Sequence, residues 1–250
     1  MSTRILMISA RANDLYDEAR LAAVQPFVSA GTEVVVRSLA GAGVPGTAFL
    51  PAASLFMNQL LQAVEQGERD GFDAVVIACC SDPGLEDAKD LVSIPVTAPM
   101  EAAVATGLGL GRLGVVAPRI ESGEGENLPQ DANWVRRLVH RYGGERSFAG
   151  VWSAPAGHPS AEDTTRLLVE DPEGLRVAIH REMSASIAGP AGDAAEQAWR
   201  EGDATVLFFA CTLWGGLLAP IRERVAVPVL DPLVTPVRYA ELLAHAGHKS

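Results

Sequence analysis

Short, nearly continuous apolar runs recur along the chain, separated by longer stretches whose apolar residues return every three or four positions. The runs Arg4–Ser9, Glu33–Ser38, Ala74–Cys79, Pro95–Thr97, Arg112–Ala117, Phe148–Trp152, Thr205–Ala210 and Pro228–Leu230 predict strands. Most are apolar throughout rather than alternating, as in strands covered on both faces. Phe56, Leu60 and Val64 form a stripe at helical spacing. Val135, Leu138 and Val139 form a second, and Leu175, Ile179 and Met183 a third. A last helix over Thr235–Ala246 is expected to cross back onto the first half. Strand–helix alternation of this kind predicts an α/β chain with parallel sheets between layers of helices.

The two halves read alike. Each has a strand ending in Ala-Cys, a helix start, a strand opened by Pro-Val, and a helix. The division falls near Gly107–Arg112, giving a first domain over 1–110 with the C-terminal helix (233–250) and a second over 111–232. Either true pseudo-symmetry or two independent α/β units would give this pattern. Two loops stand apart: the acidic Glu121–Asp131 and the proline-containing Ser153–Asp163. Either could close over a site, although the first reads more simply as a solvated loop.

Composition narrows the function classes. The 250 residues suffice for one large domain or two smaller ones. A net charge of −11 argues against nucleic acid and anionic membrane surfaces as partners. Three cysteines, two of them adjacent, make no disulfide framework and fit a reducing cytoplasm. The N-terminus lacks the apolar length of a signal peptide. The apolar stretch Val206–Ile221 is broken by Cys-Thr and Gly-Gly and is too short to span a bilayer. A symmetric homo-oligomer is compatible with a compact α/β chain of this size.

The candidate chemistry is carried by thiols. Cys79 closes Asp73–Cys79 and Cys211 closes Asp203–Cys211, and the Pro-Val pairs Pro95-Val96 and Pro228-Val229 follow 16 and 17 residues later. One cysteine at a strand end would read as core packing. Two at equivalent ends occupy the place where open parallel sheets bind ligands, outside the carboxyl ends of strands. N–H groups of the following turn favour a thiolate there and can hold a carboxylate or enolate oxygen. Neighbouring residues in a strand face opposite ways, so Cys79 and Cys80 cannot serve one site equally. Ala78-Cys79 matches Ala210-Cys211, whereas the rival pairing sets Cys80-Ser81 against Cys211-Thr212.

The segment Cys79-Cys80-Ser81-Asp82-Pro83-Gly84-Leu85 resembles the Cys-x-x-Asp-Pro-Gly-Leu segment of hydantoin and allantoin racemases, within the Asp/Glu racemase superfamily. Ala210-Cys211-Thr212, the stretch Val227–Asp231 and a helix carrying Ala240-Glu241 are similar to that family's second half. The resemblance implies two similar Rossmann-like parallel-sheet domains related by pseudo-twofold symmetry, with the active site in the cleft between them. It implies cofactor-independent racemisation or epimerisation of a small carbon acid, hydantoin-like or amino-acid-like, by two-cysteine proton transfer. Cys79 and Cys211 would be the acid/base pair, Ser81 and Thr212 would line the site, and Asp82 would shape the loop. The partner would be a small-molecule substrate, anionic or a cyclic imide. A free thiol titrates at about 8.5, so modest stabilisation yields thiolate at neutral pH.

Departures from the family bear on the substrate. Its usual Asn-Pro-Asn is replaced by Ser9-Ala10-Arg11-Ala12-Asn13, so Arg11 or Asn13 would suit a different anion. Ala117-Pro118-Arg119 replaces a Thr-rich or Gly-rich turn. Leu213-Trp214 replaces small residues, either shaping an apolar pocket or packing under the helix. Alternatives on the same scaffold are maleate-type cis–trans isomerisation and single-cysteine decarboxylation, and the presence of both cysteines speaks against the latter. A non-enzymatic ligand-binding protein with buried cysteines is the remaining alternative. Gly107–Gly111 precedes a strand and reads as a helix terminus rather than a nucleotide loop. The histidines show no metal spacing, and His158 and His180 read as surface or structural residues.

Overall fold

No side chain of Ile5–Ile8 reaches solvent, so this run needs cover on both faces and lies inside a sheet. In the computed structural model, which describes residues 2–11, 13–39, 56–119, 132–157 and 159–247, it forms the centre of β1 (Thr3–Ser9). β1 is flanked by β2 (Thr32–Ser38) and β3 (Ala74–Ile77), with β4 (Val96–Thr97) outside β3. The second sheet repeats the plan. β5 (Leu113–Arg119) lies between β6 (Phe148–Pro155) and β7 (Val206–Phe209), with β8 (Val229–Leu230) outside β7. Every pairing is parallel, and the orders β2-β1-β3-β4 and β6-β5-β7-β8 are the same.

Helices cover both faces. In the first half α1 (Asp17–Val24) follows β1, α2 (Met57–Arg69) leads into β3, and α3 (Leu85–Leu91) joins β3 to β4. Leu60 and Val64 of α2 pack with Leu6, Ile8, Val75 and Ile77 on one sheet face. In the second half α5 (Asn133–Arg141) joins β5 to β6. The helices α6 (Ala161–Glu170), α7 (Pro172–Ala188) and α8 (Pro190–Arg200) precede β7, and α9 (Ala219–Arg224) precedes β8. Leu175, Ile179 and Met183 of α7 pack with Val116, Leu207 and Phe209.

The remaining two helices are exchanged between the halves. α4 (Pro99–Leu110) follows β4, yet its Met100, Ala103 and Val104 pack with Val115, Val206 and Phe208 of the second sheet. α10 (Val234–Gly247) follows β8, yet its Val237, Ala240 and Ala244 cover Ile5, Met7 and Val76 of the first sheet. Glu241 fixes α10 there. Its buried carboxylate accepts the Ser29 N–H at 2.9 Å and the Thr32 hydroxyl at 2.6 Å, and pairs with Arg238.

Several boundaries differ from those expected. β5 continues through Ala117-Pro118 to Arg119, and β6 runs to Pro155 rather than stopping at Trp152. Prolines lack a ladder donor, but β6 is an edge strand, and β5 pairs with β7 only up to Val116, so no donor is missed. β3 and β7 end at Ile77 and Phe209, two residues before each cysteine. The expected loop Ser153–Asp163 is shortened further because α6 begins inside it, where Ser160 Oγ accepts the Asp163 N–H at 3.0 Å. The loop Glu121–Asp131 and His158 lie outside the described residues.

Candidate active site

The last hydrogen bond between β1 and β3 runs from the Ala78 N–H to the Ile8 carbonyl at 2.9 Å. The last between β5 and β7 runs from the Ala210 N–H to the Val116 carbonyl at 2.8 Å. Cys79 and Cys211 are therefore the first residues beyond equivalent bonds in two equivalent sheets. Cys80 is displaced from that position. It is buried among Met100, Ala103, Val104, Val115 and Ala210, and burial without a donor raises its thiol well above the ordinary range.

Both outer thiols are half-buried and free. Each sits over the turn that follows it. Cys79 Sγ lies 3.2 Å from the Ser81 hydroxyl, and burial raises its thiol while the Ser81 hydroxyl and N–H oppose the rise. Cys211 precedes a single 3-10 turn, Thr212–Trp214. Burial raises its thiol too, against the Leu213 and Trp214 N–H groups and the charge of Arg11. Arg11 pulls Cys79 down as well. A negative charge on Cys79 pushes Cys211 up, so the pair favours one thiolate beside one thiol.

Ser9, Arg11 and Asn13 follow from the end of β1. Ser9 is fully buried, and its hydroxyl accepts from Arg20 of α1. Arg11 is half-buried, with its guanidinium 4.6 Å from the centre of the Tyr16 ring. Asn13 Oδ1 accepts the Leu15 N–H at 3.3 Å, starting the turn into α1. Arg20 is 3% exposed, and burial, then Arg11, lowers it to about 10, so it remains a cation at neutral pH. Neither Tyr16 nor Arg20 stood out in the sequence, although Tyr16, Arg20 and Val24 form a buried stripe at helical spacing. A charged residue in such a stripe was the available signal.

Other expected site residues serve the frame. Asp82, at φ +48°, carries its carboxylate to the start of α4. It accepts the Met100 N–H at 3.0 Å, the Glu101 N–H at 2.8 Å and the Tyr142 hydroxyl at 2.9 Å. The helix needs this, because its own N-cap residue is Ala98. Burial raises Asp82 to about 7 against the pull of those three donors. Trp214 is fully buried and packs edge-on to Phe209 at 5.9 Å, so of its two expected roles it fills the packing one. Ala117 is buried within β5. Thr212 and Leu213 are half-buried and line a cavity of about 360 Å³ with Tyr16, Arg20, His180 and Met183. Neither Cys79 nor Cys211 lines it; the cavity lies beside the Cys211 turn, between α1 and α7.

Among the described residues, no three His, Cys, Asp or Glu side chains group so as to hold a metal ion. None of the described helices is long and apolar enough to cross a membrane.

Comparison with known proteins places this geometry in context. The Asp/Glu/hydantoin racemase family model matches residues 5–240. A hydantoin racemase of Rhizobium meliloti is 30% identical over 190 residues, covering 76% of this chain and 67% of its own length. A hydantoin racemase of Paenarthrobacter aurescens is 26% identical over 250 residues, covering 99% of this chain and 93% of the relative. Among solved structures, the allantoin racemase of Klebsiella pneumoniae superposes with a TM-score of 0.72 at 24% identity, over 98% of this chain and 89% of that one.

Proposed function

The chain belongs to the Asp/Glu/hydantoin racemase family, and we propose that it racemises or epimerises a small carbon acid of the hydantoin or allantoin type, with Cys79 and Cys211 as the proton-transfer pair. The observation carrying this reading is the equivalence of the two thiols, each one residue past the same sheet hydrogen bond and each facing the N–H groups of its own turn.

The thiolate of one cysteine takes the proton from the stereogenic carbon, forming S–H and leaving the electron pair delocalised onto the adjacent carbonyl. The thiol opposite donates its proton to the other face of that carbon and becomes the thiolate. The net change is inversion, and the two sulfurs have exchanged protonation states. Main-chain N–H groups of the two turns are suitable donors for the enolate oxygen, an interaction worth roughly 3–4 kcal/mol per donor. A hydantoin ring acidifies the carbon enough for the step to need no further electron sink.

The test is a panel of enantiopure 5-substituted hydantoins, allantoin, amino acids and maleate in deuterated water, with wild type, Cys79→Ser and Cys211→Ser. Optical rotation and deuterium at the stereocentre are read together. Wild type should lose rotation while gaining deuterium on a hydantoin-type substrate, and each variant should lose about 10²–10⁴-fold in rate. Undiminished racemisation in both variants would refute the cysteine assignment. Isomerisation of maleate without deuterium uptake on the hydantoins would refute the reaction.

A further inference from the structure

The geometry points to Arg11 as the residue that selects a carboxylate-bearing substrate, using Tyr16 as a rigid platform beside the two cysteine turns. This deepens the racemase reading and rests on it.

Arg11 is fixed at its backbone. Its N–H donates to the Ser9 carbonyl at 2.7 Å, and its carbonyl accepts the Leu39 N–H at 2.8 Å. Its guanidinium lies against the Tyr16 ring, which also carries the Arg20 guanidinium at 5.6 Å. A planar guanidinium stacked on an aromatic face keeps its N–H edges free for a second partner. Two cations thus share one ring.

The two differ in what balances them. Arg20 is enclosed, donates to Ser9, and lies 3.8 Å from Asp17. Asp17 is itself engaged by the Ser38 hydroxyl, 2.7 Å from each carboxylate oxygen. Arg11 has no side-chain hydrogen bond and no acidic partner among the described residues, which is unusual in a chain of net charge −11. A half-buried, unpaired guanidinium retains its desolvation cost until an anion arrives.

The position of Arg11 says where that anion would lie. Arg11 follows Ser9 at the end of β1, next to the β3 end that delivers Cys79. Tyr16 shares a cavity wall with Thr212 and Leu213, which follow Cys211. The charge of Arg11 is felt at both sulfurs, lowering each thiol. A carboxylate on the substituent of the stereocentre would meet the guanidinium edge while the carbon sits between the thiols. The carboxylate matches the guanidinium fork with two parallel hydrogen bonds, which a neutral ester cannot reproduce.

The experiment compares hydantoin-5-acetic acid with its methyl ester, which has nearly the same shape and no charge. Racemisation kinetics and calorimetric binding are measured for wild type, Arg11→Gln and Arg11→Lys. Wild type should prefer the acid over the ester by about 10- to 100-fold in both KM and Kd, the worth of a charge-assisted pair. Arg11→Gln should bring that ratio close to one, and Arg11→Lys should keep part of it. An acid-to-ester ratio near one in wild-type binding overturns the proposal whether or not turnover is seen. A ratio unchanged by Arg11→Gln overturns it too. If wild type prefers the acid in binding but racemises neither these compounds nor any hydantoin or allantoin of the panel, the racemase reading fails and the anion site stands.

Discussion

Asp82 offers a direct measure of how burial and hydrogen bonding compete at this site. Its carboxyl is 3% exposed, caps α4 through two N–H groups and accepts from Tyr142. Burial nevertheless raises it from an ordinary value of 3.8 to about 7. A raised carboxyl binds its proton more tightly in the folded chain than in the unfolded one. Its contribution to stability is therefore greatest below about pH 4 and is lost as pH rises to about 7. Over the whole interval the loss is about 4 kcal/mol, of which about 3 kcal/mol falls between pH 5 and pH 8.

Asp82→Asn removes this titration and keeps the shape. The amide accepts one helix N–H but presents its own NH₂ to another donor, so at pH 5 the variant should be less stable by about 1–2 kcal/mol. Between pH 5 and pH 8 wild type should lose about 3 kcal/mol relative to the variant, so the order reverses and the variant is the more stable by about 1–2 kcal/mol at pH 8. Urea unfolding followed by far-ultraviolet circular dichroism at several pH values gives both curves. The negative charge of Asp82 also raises Cys79, so the pH midpoint for Cys79 alkylation should fall in the variant. Parallel stability curves from pH 5 to pH 8 would refute the reasoning. They would mean that Met100, Glu101 and Tyr142 hold Asp82 ionised throughout and outweigh its burial.

Two further outcomes are expected. Ser81→Ala removes the hydroxyl 3.2 Å from Cys79 Sγ, so the iodoacetamide midpoint of Cys79 should move to higher pH while that of Cys211 stays, as read by peptide mass spectrometry. Gly216 adopts φ +78°, and a Cβ there would stand 2.8 Å from Ala23 Cβ of α1. Gly216→Ala should cost roughly 1–3 kcal/mol and lower the calorimetric Tm by several degrees.

The strands were legible because the apolar runs are short, nearly unbroken and bounded by turn residues. Their ends were not, wherever a proline stood at an edge or beyond the last partner, as at Pro118 and Pro155. The start of α6 was missed although Ser160 and Asp163 have the spacing of a cap. The equivalent placement of Cys79 and Cys211 could be read from the repeated Ala-Cys pattern, but not that each stands two residues beyond its strand rather than closing it. Tyr16 and Arg20 could not be read the same way, since an arginine on a helix suggests solvent until its neighbours are known. The exchange of α4 and α10 depends on which sheet each apolar face meets, and spacing along one helix carries no such information.

That exchange explains two aspartates that looked unrelated in the sequence. Each cysteine turn must be tied to something, and in both halves it is tied to the start of the helix after the Pro-Val strand. In the first half the acid comes from the cysteine turn, Asp82 reaching forward to α4. In the second it comes from the strand end. Asp231 caps α10 through the Leu233 and Val234 N–H groups at 2.8 and 3.1 Å, and reaches back to the Gly216 N–H at 2.8 Å. Since α4 covers the second sheet and α10 the first, each cysteine turn is fastened to a helix lying on the opposite sheet. Tyr142, at the end of α5, adds a second tie across the halves through Asp82. Moving the two cysteine turns apart would therefore strain the hydrogen bonds of a buried aspartate in each half together. Proton transfer by two cysteines, as proposed, would need this kind of fixed spacing between the sulfurs.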